Sequence, residues 1–315
     1  MKATTRPAQD RPSPEDAPIP PGPRRLILGV PTSGRREILT ETVRHITEQE
    51  RLPDLVVLAV AQERDIDRAA LTGLPFPIKV VVGARSLSAR RNRILEQIEL
   101  ADILMFLDDD FLMAPNYFAE VMAVFERHPY IVLATGAVIA DGVVGRGYDH
   151  ETGQQILDRE AVLTAPEQLK DVYNGYGCNM AVRARPILTF GLRFDEALPL
   201  YSWLEDIDFS RQLADYGRLV RSNLLRGVHL GTRTGRTPGR RLGYSQIVNP
   251  VYMLRKGTVS TRKMLLLTGQ VFASNLVHSI RPRQWIDSRG RLRGNLRAFW
   301  DILRGKIDPR RASEI

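Results

Sequence analysis

Cysteine is nearly missing from this 315-residue chain. The single Cys178 excludes an intrachain disulfide and leaves no cysteine-built zinc site. Aromatic residues are sparse at 7%, and no zinc-finger spacing, aromatic RNA-binding stripe or clear helix-turn-helix is present. Long apolar runs are also missing. The longest charge-free one, Met264 to Ile280, is shorter than a usual membrane span and carries Gln270, Asn275 and His278. It reads as a buried or interfacial amphipathic helix. Acidic residues are scarce towards the C-terminus: residues 211–315 hold 22 Lys/Arg against 5 Asp/Glu, a net of +17, whereas residues 1–210 carry a net of −8. A basic third joined to an acidic two-thirds suits an anionic partner, the alternative being a solvated basic face.

What remains is ordinary for a globular chain, with 43% hydrophobic and 26% charged residues. Residues 1–23 have no apolar signal-peptide core and many prolines, and are expected to form a disordered leader. The expected location is the cytoplasm, with peripheral contact at the inner face of the cell membrane. From Leu26 to Ile139 short β-branched or apolar runs (Leu26–Pro31, Leu55–Ala61, Ile78–Val82, Ile103–Leu107, Ile131–Ile139) alternate with helical patterns at 36–49, 88–100 and 116–127. That alternation predicts an α/β fold with a doubly wound, mainly parallel sheet covered by helices on both faces. Beyond residue 141, frequent glycines suggest loops with an antiparallel edge, then a helix over 205–213. Residues 231–243, rich in Gly and Arg, read as a mobile basic loop, and 246–306 as helices with basic flanks. The resulting division is a leader (1–23), a catalytic domain (24–245, with halves 24–140 and 141–245) and a basic helical extension (246–315).

Four places carry chemistry. Asp108, Asp109 and Asp110 follow a predicted strand, where ligand sites of open α/β sheets lie. A divalent cation would offset their mutual repulsion, and oxygen ligands suit Mg²⁺ or Mn²⁺; a solvated Asp-rich turn is the plainer reading. Glu205, Asp206 and Asp208 begin a helix, where acidic residues are stabilised by the dipole, but Tyr201 and Trp203 beside them suggest aromatic platforms next to an acid–base group. His229 sits between apolar residues and a flexible loop, as a core histidine or a metal ligand. Arg90 and Arg91 open a helix against the dipole's preference, which a phosphate or ribose contact, or an ion pair with Asp or Glu, would explain.

These residues resemble the family 2 glycosyltransferases of the GT-A fold over roughly residues 24–245. Leu28 to Arg35 resembles the family's opening strand and turn, and Ala89-Arg90-Arg91-Asn92 its alanine-arginine-asparagine signature. Phe106 to Asp110 resembles its DxD motif, and Leu204 to Phe209 its ED motif. The segment Gly177 to Arg183 is similar to the one preceding the acceptor site. The resemblance implies inverting, metal-dependent transfer from a nucleotide-diphosphate sugar, a UDP-sugar first among them, to a glycan or lipid-linked acceptor, in cell-surface polysaccharide biosynthesis. It implies Asp108, Asp110 and His229 as ligands of Mn²⁺ or Mg²⁺, with Asp206 as the base and Glu205 positioning the acceptor. Donor contacts would come from Pro31, Thr32, Arg35, Gln62, Arg91, Asp108, Asp109, Arg233 and Arg236, and acceptor contacts from Asn179, Tyr201 and Trp203. Where many members end the second strand in an aspartate, Gln62 or Glu63 stands here. Competing classes are a binding module for nucleic acid or an anionic surface, and a metal-dependent nucleotidyltransferase. No nucleic acid is expected, and the extension is expected to meet an anionic membrane, pack on the catalytic domain, or form an oligomer contact.

Overall fold

The computed structural model describes residues 25–83, 85–161 and 166–315. The proline-rich leader lies outside these residues. Strands β1 (Leu26–Thr32), β2 (Leu55–Val60), β3 (Ile78–Val82) and β4 (Ile103–Leu107) pair in parallel in the order β3-β2-β1-β4. β1 and β4 are buried along their whole lengths, which explains their unbroken apolar runs. Alternation sends Leu26, Leu28 and Val30 to one core with Leu39 and Val43 of helix α1 (Arg36–His45), and Ile27 to another with Ile94 and Leu95 of α2 (Leu87–Leu95).

The sheet continues as a mixed half. β4 pairs antiparallel with β8 (Asn179–Arg183), followed by β6 (Ile131–Asp141), β9 (Arg218–His229) and the short β5 (Phe111–Met113), while β7 (Leu169–Asp171) pairs with β9. Helix α3 (Tyr117–Arg127) precedes β6. Two helices in this half, α4 (His150–Ala161) and α5 (Ala184–Phe190), occupy a region whose glycines pointed to loops. The helix expected at 205–213 is α6 (Glu205–Leu213).

The basic segment 231–243 is only partly loop. Helix α7 (Gly239–Lys256) begins inside it and runs past residue 245. The reason is helix contact: a Cβ on Gly243 would stand 2.1 Å from the Arg291 carbonyl oxygen, and one on Gly294 2.1 Å from that of Arg240. These glycines therefore let α7 lie directly on α9 (Ser288–Leu303) rather than keep the chain loose. Between them in sequence, α8 spans Thr261–Ile280. A buried amide ladder joins all three helices. Asn275 Nδ2 donates to Gln246 Oε1 and to Asn295 Oδ1, each at 2.9 Å, and Asn295 Nδ2 donates to the Gly243 carbonyl at 2.6 Å. The extension is also tied to α6: Asp208 accepts from Lys256 Nζ and Thr258 Oγ1, both at 2.7 Å. Among the described residues no helix is long and apolar enough to cross a membrane.

Candidate active site

A cavity of about 290 Å³ opens at the C-terminal ends of β1 and β4. Pro31, Thr32 and Arg35 wall it on one side, Asp108 and Asp109 on another, with Leu87 and Arg90 of α2, Tyr201, and Arg236 of the 231–238 loop completing it. The three aspartates divide their work. Asp109 is buried, accepts from Arg35 Nη1 at 2.8 Å and from the Thr32 hydroxyl, and so locks the turn after β1 to the end of β4. Burial raises its pKa to about 6, even against Arg35. Asp108 and Asp110 turn instead towards His229.

Strand register makes that meeting possible. His229, the last residue of β9, pairs with Phe111 of β5 on one side and with Asp141 of β6 on the other. Its Nε2 stands 3.3 Å from Asp110 Oδ1 and 3.9 Å from Asp108 Oδ2, while Nδ1 meets Asp141 Oδ1 at 3.1 Å. One ligand atom from each of Asp108, Asp110 and His229 falls within 4.8 Å of the other two. The buried Asp110 Oδ1 makes no hydrogen bond; Oδ2 accepts from the Thr232 N–H at 2.7 Å. Burial alone would lower the pKa of His229, yet contact with Asp110 and Asp141 raises it to about 10. Burial would raise that of Asp110, yet His229 and Arg35 hold it well below the usual carboxylate range. The cluster therefore stabilises positive charge at its centre, and its two carboxylates and imidazole fit a divalent cation such as Mn²⁺. Asp141 and Tyr176, whose hydroxyl donates to Asp141 Oδ2 at 3.0 Å, complete the surroundings of His229. Neither is a residue that sequence reasoning singled out, although an aspartate ending a strand beside the site was a visible signal. Such a partner fixes which imidazole nitrogen faces a metal.

Across the cleft lie Glu205 and Asp206, linked to the aspartates by Arg91. Arg91 is 1% exposed, donates to the Gly177 carbonyl at 2.8 Å, and places Nη2 3.6 Å from Asp108 Oδ1 and 3.5 Å from Glu205 Oε1. A Cβ on Gly177 would meet Arg91 Nη2 at 2.9 Å, so a larger residue there would push the guanidinium aside. Burial pushes Glu205 up to about 8, with Arg91 opposing and Asp206 adding to the shift. Asp206 is half-buried, and its pKa is likewise raised by desolvation although Arg91 and the Ile207 and Gly177 N–H groups counter it.

The segment before α6 is strained. Leu200, Ser202 and Leu204 adopt φ of 58°, 51° and 73°, unfavourable for residues with a Cβ. Neighbours impose it: the Leu87 N–H donates to the Leu200 carbonyl, the Ser88 N–H to Ser202 Oγ at 3.1 Å, and Asn249 Nδ2 of α7 to the Trp203 carbonyl at 2.8 Å. Ser202 Oγ donates in turn to the Leu198 carbonyl at 2.8 Å. The result holds Tyr201 out at 49% exposure on the cavity wall, 6.4 Å from the Trp203 ring. Ser202→Ala leaves the buried Ser88 N–H without its acceptor and is expected to cost about 1–3 kcal/mol, read as a lower midpoint in denaturant. An unchanged midpoint would show that this loop holds its shape without the hydroxyl.

Several expected contacts are placed elsewhere. Asn179 is 1% exposed in β8, its Oδ1 accepts from Thr135 Oγ1 at 2.7 Å, and its Nδ2 makes no hydrogen bond. Glu205 is buried and pairs with Arg91. Gln62 caps a short turn, its N–H bonded to Asp65 Oδ2, and does not line the cavity. Arg85 and Arg90 line it instead. Arg91 acts from beneath the wall. In the loop, Arg236 lines the cavity while donating to the Thr232 and Gly231 carbonyls, each at 2.8 Å. Arg233 points away, towards the carbonyls of Val143 and Trp285. Arg35 holds the same loop through the Thr234 carbonyl at 2.8 Å. The loop is thus pinned to the site at Thr232 and Thr234.

A parallel half-sheet feeding carboxylates into a cleft closed by a mixed half defines the GT-A class of fold. The model of the family described as glycosyl transferase family 2 matches residues 28–188, and the chain belongs to that family. It is a glycosyltransferase. Among solved structures it is similar to the mannosyltransferase PcManGT from Pyrobaculum calidifontis, in complex with GDP-Man and Mn²⁺, at 12% identity and a TM-score of 0.56, covering 91% of this chain and 92% of that one. It is similar to S. aureus TarS 1-349 in complex with UDP-GlcNAc at 15% identity and a TM-score of 0.53, covering 92% and 83%. GalNAc-T7, with UDP, GalNAc and Mn²⁺, is 14% identical with a TM-score of 0.55, and the match covers 90% of this chain but 57% of that one. Against the longer TarS chain the match spans 40% of that chain's length. No curated protein matches in sequence.

Proposed function

We propose that the chain transfers a sugar, with inversion, from a nucleotide-diphosphate sugar to a hydroxyl of a glycan or lipid-linked acceptor, in the assembly of a cell-surface polysaccharide. The observation that carries this reading is one guanidinium, Arg91, standing between Asp108 of a cation-fitting cluster and the Glu205–Asp206 pair. An attacking hydroxyl and a leaving diphosphate need these two different acidic sites. Asp108, Asp110 and His229 hold Mn²⁺ or Mg²⁺, which when bound neutralises charge on the leaving diphosphate. Asp206, the more accessible carboxylate of the pair, takes the proton from the acceptor hydroxyl as its oxygen bonds to the anomeric carbon and the sugar–phosphate bond breaks. Glu205, kept neutral near pH 7 by its burial, does not compete for that proton. Arg35, Arg90 and Arg236 on the cavity wall suit the diphosphate, and Tyr201 with Trp203 suits a sugar ring. The structures recorded with GDP-Man and with UDP-GlcNAc support a nucleotide-sugar donor, with UDP-sugars the first to try.

A panel of nucleotide sugars incubated with the protein and Mn²⁺ tests this directly. Slow release of nucleoside diphosphate from one or a few donors, stopped by EDTA, is the expected outcome. Release from none, or release indifferent to EDTA, would overturn the reading.

A further inference from the structure

Helix α8 carries apolar side chains on two sides, one packed and one open. Its buried residues are Thr268 and Asn275, both polar. Met264, Leu267, Val271 and Phe272 pack inward against α7, α9 and neighbouring residues, whereas Leu265, Leu266, Leu276, Val277 and Ile280 are all exposed, Ile280 at 76%. With the small residues Gly269 and Ala273 between them, they recur every three or four positions along one face about 22 Å long. The stripe does not end at α8. Phe272 packs edge-on against Phe299 of α9 with ring centroids 5.3 Å apart, and beyond it Leu296, Trp300 and Leu303 are exposed, Leu303 at 81%. Two helices therefore present one continuous apolar surface, larger than scattered exposed leucines would make.

The rim of this surface is cationic. Residues 261–306 contain ten Lys/Arg and two Asp/Glu. Of the two acids, Asp287 caps α9 and Asp301 is buried against Arg311 and Tyr244. Arg289, Arg293, Arg297 and Arg304 run along α9 beside the apolar stripe, with Arg304 lying over the Trp300 ring at 4.2 Å. Arg281 and Arg283 follow the end of α8, next to the exposed Trp285. A second copy of this chain would bring the same positive rim against itself. A bilayer surface carrying anionic headgroups meets both properties at once, apolar side chains entering the acyl boundary and arginines meeting the headgroups. Exposed tryptophan is suited to that boundary.

We propose that the outer faces of α8 and α9 form a single docking surface that lies in the plane of an anionic bilayer. The polar ladder through Asn275 serves this arrangement, since it adds hydrogen bonds that hold α8 to α7 and α9 while Leu265, Leu266 and Leu276 stay free for lipid. The surface is separate from the sugar-transfer cleft, so its test needs no sugar chemistry.

Sedimentation of the full chain with phosphatidylglycerol-containing vesicles and with pure phosphatidylcholine vesicles reads it out, with tryptophan fluorescence as a second measure. Binding to the anionic vesicles only, with a blue shift, is expected. Leu276→Gln with Ile280→Gln should weaken partitioning at least about tenfold. Arg289→Gln with Arg293→Gln and Arg297→Gln should weaken it on the order of 10²-fold. Both sets alter exposed side chains, and an unchanged melting temperature confirms that the fold persists. No binding by the unaltered chain would overturn the proposal. So would binding equal to it in the leucine–isoleucine variant, which would mean charge attraction alone. A dimer in solution that dissociates in that variant would assign the face to a second copy instead.

Discussion

Asp110→Ala is expected to abolish the Mn²⁺-dependent part of nucleoside diphosphate binding, and turnover with it. Asp110 contributes the buried Oδ1 that makes no hydrogen bond and faces His229. Removing it leaves Asp108 and the imidazole, too few ligands to hold a hard cation firmly. The same substitution also frees the Thr232 N–H from Oδ2, so the 231–238 loop would loosen. Asp110→Asn separates the two effects. It keeps an acceptor for Thr232 but loses the charge that favours a cation, and it too should lose metal dependence. Calorimetric titration with and without Mn²⁺ checks both. Diphosphate binding that is equally strong in either variant, or indifferent to Mn²⁺ in the unaltered chain, would remove the metal from this site.

Asp206→Asn is expected to lower kcat by about 10²–10⁴-fold with donor affinity little changed. The amide keeps the shape and one of the two backbone hydrogen bonds from Gly177 and Ile207, but it cannot take a proton. The pH profile gives a second check. The base must be ionised, so activity falls as pH falls through the Asp206 pKa. Desolvation raises that pKa above its ordinary 3.8, so the acid limb should stand above the usual aspartate range, and the limb should vanish in the variant. Glu205→Gln mimics the neutral form that burial already favours and should keep most of kcat. An active Asp206→Asn enzyme beside an inactive Glu205→Gln enzyme would exchange their roles. Glu205 also shapes stability. Its folded pKa of about 8 lies above the ordinary 4.5, so the folded state holds a proton that the unfolded chain has released. Stability therefore falls as pH rises between these values, a slope that Glu205→Gln removes.

Local pattern was enough for the parallel half of the molecule. Leu26–Thr32 and Ile103–Leu107 stand where unbroken apolar runs placed them, because strands buried on both faces need apolar residues throughout, and the half-exposed edge strand Ile78–Val82 stands where its β-branched run did. The same holds for the aspartates after β4, since strand ends expose whatever follows them. Beyond residue 141 that logic weakened. Glycines there do not all mark turns: Gly243 and Gly294 permit close contact between α7 and α9, a reason that exists only once the two helices meet. The direction of side chains was likewise a tertiary matter. Three consecutive aspartates look alike in the chain, yet Thr32 and Arg35 claim Asp109, while His229, delivered by the register of β9, draws Asp108 and Asp110. Asn179 and Gln62 carry suitable groups, but Asn179 is buried in the sheet and Gln62 sits at a short turn outside the cavity lining. Asp141 entered the site through strand pairing across 88 residues of sequence. Residue type and local spacing thus determined which chemistry this chain can perform and roughly where it lies. Which carboxylate faces a cation, which stays neutral and which leucines face outward were decided by burial and by partners distant in sequence, because pKa and exposure are properties of the packed environment and not of the residue.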